Sequence, residues 1–133
     1  MQLRQVYRMP KAGSINDLIR ISEELEKPKP DEVCVKVKAI GLNFADIFAM
    51  QGLYSATPQG SFIPGLEFSG EIIAVGDAVK TWKPGDKVMG ATKFGGYVSH
   101  INSSERYVIP LPENWSFEEG AGFWFRDLRL IML

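Results

Sequence analysis

A small β-barrel with one or two short helices, folded as a single domain, is what this sequence predicts. Three observations carry that prediction. Short runs rich in β-branched and aromatic residues recur along the 133 residues. Glycine and proline clusters punctuate them at regular intervals, the pattern of an all-β barrel. The clearest helix-opening signals stand at Asn43 and Ser116.

Leu3 to Met9 has strand composition and stops at Pro10. Ser14 to Leu25 carries two patterns at once. Ser14 and Asp17 form a capping-box-like pair, and Leu18, Ile21 and Leu25 have helical spacing. Ile19 and Ile21 also alternate with Arg20 and Ser22, as in a strand. Pro28 and Pro30 end the segment, because proline has no amide to continue a ladder. Val33 to Ile40 is the clearest strand. Val33, Val35, Val37 and Ala39 face one side, and Lys36 and Lys38 form a solvated face on the other. Gly41 breaks it. Asn43 caps the following helix, with Asp46 placed to complete a capping box. Phe44, Ile47 and Phe48 recur at helical spacing and predict its apolar face, and Gly52 suits its C-terminal cap. Leu53 to Gly65 is rich in turn residues and reads as a loop, which at that length is often functional. Phe68 to Val75 is a strand closed by the turn Gly76-Asp77. Lys83-Pro84-Gly85-Asp86 turns the chain into the strand Lys87 to Ala91. Gly95-Gly96 precedes a strand from Tyr97 to Ile101, and Tyr107 to Ile109 is a last short strand closed by Pro110 and Pro112. Ser116 to Glu119 is a capping box that opens a C-terminal helix.

Composition removes several classes of function. Fifteen basic and 16 acidic residues give a net charge of −1, so no basic excess exists to neutralise a nucleic-acid backbone. No apolar run approaches the roughly 20 residues of a membrane span. Met1 to Pro10 lacks the apolar core of a signal peptide, which makes the cytoplasm the expected compartment. Cys34 is the only cysteine. It forms no internal disulfide, and it falls short of the about four ligands of a structural zinc site. Within Val33-Cys34-Val35 it reads as a packed strand residue.

The ordered landmarks form a more specific signature. They are Gly41-Leu42-Asn43-Phe44-Ala45-Asp46, Gly52-Leu53-Tyr54, Pro64-Gly65-Leu66-Glu67, Gly70, Val75-Gly76, Gly85-Asp86-Lys87-Val88, Ile109-Pro110 and Phe117-Glu118-Glu119. Residues 1–122 thereby resemble the N-terminal, GroES-like domain of medium-chain dehydrogenases and reductases. The similarity is to the zinc-independent quinone oxidoreductase branch, which includes the synaptic-vesicle amine-transport protein homologues. Zinc-dependent relatives carry a cysteine where this chain has Asn43 and a histidine where it has Leu66; neither replacement can ligate zinc. The resemblance implies a partly open β-barrel, with a turn and then a strand in Ser14 to Leu25. It also implies one wall of a cleft in which NADPH reduces a quinone or an α,β-unsaturated carbonyl without metal.

The resemblance also supplies candidate site residues. Asn43 is a helix cap, or a cap that also offers its amide to nicotinamide and to a carbonyl oxygen gaining charge. Tyr54 is a ring wall and hydroxyl donor for a quinone, or an ordinary loop aromatic. Phe44 packs in the core or contacts the nicotinamide. Asp46 and Glu67 read as structural hydrogen-bond acceptors, and His100 as an exposed or structural histidine. Some relatives carry a tyrosine where this chain has Phe48. No Gly-x-Gly-x-x-Gly fingerprint follows a strand, so a dinucleotide's pyrophosphate has no expected site in these residues. Residues 123–133 leave the family pattern where the cofactor domain would begin. The expectations are therefore that this polypeptide is inactive alone, and that apolar surface around Phe123, Trp124, Phe125, Leu130 and Ile131 drives homo-oligomers. The rival reading is a non-enzymatic interaction or vesicle-associated module.

Overall fold

A computed structural model describes residues 2–55 and 57–123. The strands are β1 (Leu3–Arg8), β2 (Ile19–Glu24), β3 (Glu32–Ile40), β4 (Glu67–Val75), β5 (Lys87–Ala91), β6 (His100–Ser104) and β7 (Val108–Pro110). The helices are α1 (Phe44–Met50) and α2 (Phe117–Ala121). β1 and β2 pair as a two-stranded sheet, and the other strands form a five-stranded sheet in the order β6-β3-β4-β5-β7. Every ladder is antiparallel. The two sheets meet where Val6 bridges Val98, without merging into one closed ladder. The fold is thus mainly β with short helices, a barrel left partly open.

The ambiguous segment from Ser14 to Leu25 resolves into a single 3-10 turn, Ile15–Asp17, and then β2. Ser14 Oγ caps the turn by accepting from the Asn16 amide at 3.2 Å. The strand pattern wins because it sets Ile21 opposite Val6 and packs it against the core. That core gathers Val6, Val33, Val35, Phe68, Ile72, Val88, Val98 and Ile101. β4 runs through its centre and is covered on both faces, so Glu67 to Gly70 are all buried. On the face away from the main core, the Ser69 hydroxyl donates to the Phe117 carbonyl and fastens α2 to the sheet. Cys34 is buried in β3, and burial pushes its thiol above the usual range. β3 carries a bulge between Val37 and Ala39, which leaves Lys38 as the extra residue.

Three local expectations are corrected. The helical spacing of Phe44, Ile47 and Phe48 predicted a buried face, yet all three are exposed, Phe44 to 70%. α1 buries Asp46, Ala49 and Met50 instead, because Met9, Phe62 and Tyr97 supply apolar partners on that side. The strand expected at Tyr97 to Ile101 begins only at His100. Tyr97 and Ser99 lie where the chain crosses between the sheets: Tyr7 donates its amide to the Tyr97 carbonyl, and Ser99 donates its own to Gln5. Tyr107 belongs to a 3-10 turn, and β7 continues through Pro110 rather than stopping before it. β7 is an edge strand, where a missing amide is tolerated.

Phe123 packs its ring on Trp115 at 5.4 Å. The expectations for Trp124, Phe125, Leu130 and Ile131, and for the divergent segment beyond Phe123, lie outside the described residues. Among the described residues no helix is long and apolar enough to cross a membrane.

His100 has a structural explanation. Ser99 Oγ accepts the Gln5 amide at 2.8 Å and lies 2.9 Å from His100 Nδ1, an arrangement that suits a neutral ring accepting the hydroxyl proton. Burial lowers the imidazole's pKa below 6.5, and the charges of Lys36 and Arg4 reinforce the shift. The unfolded chain therefore binds the proton first on acidification, so stability falls as pH drops below about 6.5 toward the folded-state pKa. An NMR titration of the single imidazole should give a midpoint below about 6.5, and Lys36→Gln should move it upward.

Candidate active site

Where β3 ends, Gly41 carries the chain against β4 and α2. A Cβ on Gly41 would lie 2.4 Å from Glu67 Cγ and 2.5 Å from the Ala121 carbonyl oxygen, so the absence of a side chain is what lets Glu67 occupy its place. Asn43 then sits at the N-cap of α1 with an extended backbone. Its backbone amide donates to Asp46 Oδ2 at 3.1 Å, and its side-chain Nδ2 donates to Glu67 Oε2 at 2.7 Å. Tyr97 donates its hydroxyl to the same Asp46 Oδ2 at 2.8 Å. One asparagine thus links two buried carboxyl groups, and the sequence expectation for Asp46 and Glu67 as acceptors matches these bonds.

The arrangement has a clear electrostatic logic. Glu67 is 0% exposed. Burying an ionised carboxylate costs several kcal/mol unless donors reach it, and short charge-assisted bonds offset part of that cost. Burial also pushes the Asp46 carboxyl above the usual range, while the bonds from Tyr97 and Asn43 act the other way. Its second oxygen, Oδ1, is buried and has no hydrogen-bond partner among the described residues. Burial pushes the Tyr97 phenol up, and the neighbouring Asp46 charge pushes it further, so Tyr97 keeps its proton and remains a donor.

Beside this cluster lies a cavity of about 300 Å³ lined by Leu42, Asn43, Phe44, Ile47, Met50 and Tyr97. Its lining holds one amide and one phenol and is otherwise apolar. Such a space suits a flat apolar ring bearing a carbonyl group. Of the residues singled out from sequence, Asn43 and Phe44 come together here. Tyr54 is not among the lining residues; it is half-exposed in the turn after α1, where its carbonyl accepts the Thr57 amide at 2.9 Å. Tyr97 is the residue that sequence reasoning missed. The available signal was Gly95-Gly96 directly before it: Gly95 takes a positive φ of 101°, and Gly96 lets the backbone pass close to Gly65. Among the described residues, no group of three or more His, Cys, Asp or Glu could hold a metal ion.

A partly open antiparallel barrel, with the site at the start of the helix that follows β3, defines the GroES-like class of domain found in medium-chain dehydrogenases and reductases. The chain belongs to the alcohol dehydrogenase GroES-like domain family, which matches residues 29–113. It is similar to human synaptic vesicle membrane protein VAT-1 homolog-like, with 33% identity over 111 residues, covering 84% of this chain and 26% of the relative. A crystal structure of the human protein of that name gives a TM-score of 0.90 at 29% identity, over 99% of this chain and 43% of that one. Mouse quinone oxidoreductase-like protein 2 is 35% identical over 116 residues, 86% of this chain and 33% of the relative. The crystal structure of Escherichia coli quinone oxidoreductase complexed with NADPH gives a TM-score of 0.85 at 31% identity, over 97% of this chain and 39% of that one. The chain therefore spans about a quarter to a third of the length of these curated relatives.

Proposed function

We propose that this chain forms the substrate-side wall of an NADPH-dependent reductase of quinones or α,β-unsaturated carbonyls that works without a metal. The observation that carries this reading is the Asn43 amide, fixed by Glu67 beside an apolar cavity. The cavity fits the nicotinamide end of the cofactor, because it offers apolar walls and one amide. It does not fit the phosphates, because no cationic side chain lines it. Asn43 and Phe44 would hold the nicotinamide end. The bound cofactor supplies a hydride, and reduction of a quinone to a hydroquinone consumes that hydride and one proton. Asn43 offers a polar contact to the carbonyl oxygen as it gains charge, Glu67 keeps the amide from rotating, and Leu42, Phe44 and Ile47 give the bound ring apolar walls. Tyr54, outside the cavity lining, would reach the acceptor only from the loop after α1.

The test has two arms. Calorimetric titration of residues 1–133 with NADPH should show no micromolar binding, and quinone should not be reduced. Residues 1–122 joined to a cofactor domain of the same family should oxidise NADPH with quinone, and Asn43→Ala should then lower turnover by about 10²-fold. Tight NADPH binding by the 133-residue chain, or an Asn43→Ala variant with full turnover, would contradict the proposal.

The rival reading, an interaction module, draws on a different observation. Leu42, Phe44, Phe48 and Leu53 present large exposed apolar side chains around α1. Contiguous apolar surface of a few hundred Å² drives association. Light scattering should show a dimer or larger species, and Phe44→Ser with Phe48→Ser should shift it toward monomer. A wild-type chain that stays monomeric at high concentration would remove this support.

A further inference from the structure

A second groove, at the sheet junction, has chemistry unlike that of the Asn43 cavity. Its volume is about 360 Å³. Val37, Ile40 and Val98 supply apolar walls, Tyr7 adds an aromatic ring, and Arg20 and Lys38 bring two cations. No carboxylate lines it, although the chain as a whole carries a net charge of −1. Arg20 and Lys38 are exposed, and neither has an acidic partner among the described residues. The other arginines near this sheet are committed: Arg4 and Arg8 both bind Glu23, at 2.7 and 3.0 Å.

Lys38 owes its place to an irregularity rather than to strand alternation. It is the extra residue of the bulge in β3, and bulges re-aim side chains and cluster near functional sites. Arg20 reaches the same groove from β2, opposite Tyr7 on β1.

The geometry points to a binding site for a small amphiphilic anion, with a ring or short apolar body against Tyr7 and Val98 and a phosphate or carboxylate between Arg20 and Lys38. The groove shares Tyr97 as a wall with the Asn43 cavity, but the hydride chemistry proposed above makes no use of Arg20 or Lys38.

Phenyl phosphate is the probe, with phenol and inorganic phosphate as its two halves. Titrated into ¹⁵N-labelled residues 1–133, phenyl phosphate should shift the amides of Tyr7, Lys38 and Val98 in a saturable way. Phenol and inorganic phosphate should each bind at least tenfold more weakly. Arg20→Gln with Lys38→Gln should weaken phenyl phosphate at least tenfold. Lys83→Gln, an exposed cation paired with Asp86 elsewhere, should leave binding unchanged. Both substituted groove residues are exposed, and an unchanged amide spectrum outside the groove verifies that the double variant is folded. The proposal is overturned if phenyl phosphate gives no saturable shift, if the double variant binds as well as wild type, or if phenol matches phenyl phosphate.

Discussion

Phe68→Ala should destabilise the chain by about 3–5 kcal/mol, which corresponds to a fall in Tm of roughly 10–20 °C for a domain of this size. Phe68 is 0% exposed and heads the largest fully buried side chains. It stands opposite Gly90 on β5 and Ile40 on β3. A Cβ on Gly90 would come within 2.5 Å of the Phe68 ring, so the neighbouring strand has given up its own side chain to seat it. Truncation leaves a void bounded by three hydrogen-bonded strands, which cannot collapse inward as a loop could. Thermal or urea unfolding followed by circular dichroism measures the loss. A change below about 1 kcal/mol would show that the sheet closes over the gap, contrary to this account.

Gly41→Ala should cost about 1–3 kcal/mol and should also disturb the site. The added methyl group would collide with Glu67 Cγ on one side and with the Ala121 carbonyl on the other. Glu67 has no room to retreat, because it is fully buried. Either α2 moves off the sheet or the Glu67 carboxylate shifts away from Asn43. The two outcomes separate by NMR. Displacement of Glu67 changes the Asn43 side-chain amide resonance, whereas displacement of α2 changes the amides of Phe117 to Ala121. An alanine variant as stable as wild type, with both signals unmoved, would refute the close-approach argument.

The sheet was legible because its signals are local. Val33, Val35 and Val37 announce β3 by composition and alternation, and Lys83-Pro84-Gly85-Asp86 announces the turn into β5; the structure places both elements within a residue of expectation. α1 shows where such reading stops. Its start at Asn43 and its acidic partner Asp46 were readable, because capping is a contact between near neighbours. Its buried face was not: periodicity reveals that Phe44, Ile47 and Phe48 share a side, while what covers a side depends on elements distant in sequence. The site divides in the same way. Asn43 and Phe44 stand in one short motif with a family resemblance. Tyr97 joins them across 51 residues through a bond to Asp46; the glycine pair before it marks a close backbone approach but not which residue it approaches.

That tyrosine also joins parts of the structure that would otherwise be separate. Its carbonyl holds the Tyr7 amide of β1 at 2.9 Å, while its hydroxyl holds Asp46 in the first turn of α1 at 2.8 Å. The two-stranded sheet shares no ladder with the larger one, so this residue is a principal tie between that sheet and the helix beside the cavity. Fluctuations that free the helix and displace Tyr97 should therefore also loosen β1. In hydrogen-exchange terms, the amides of Tyr7 and Asp46 should open together, with the cavity wall moving as a block rather than as a loose flap; clearly different protection of the two amides would contradict this coupling.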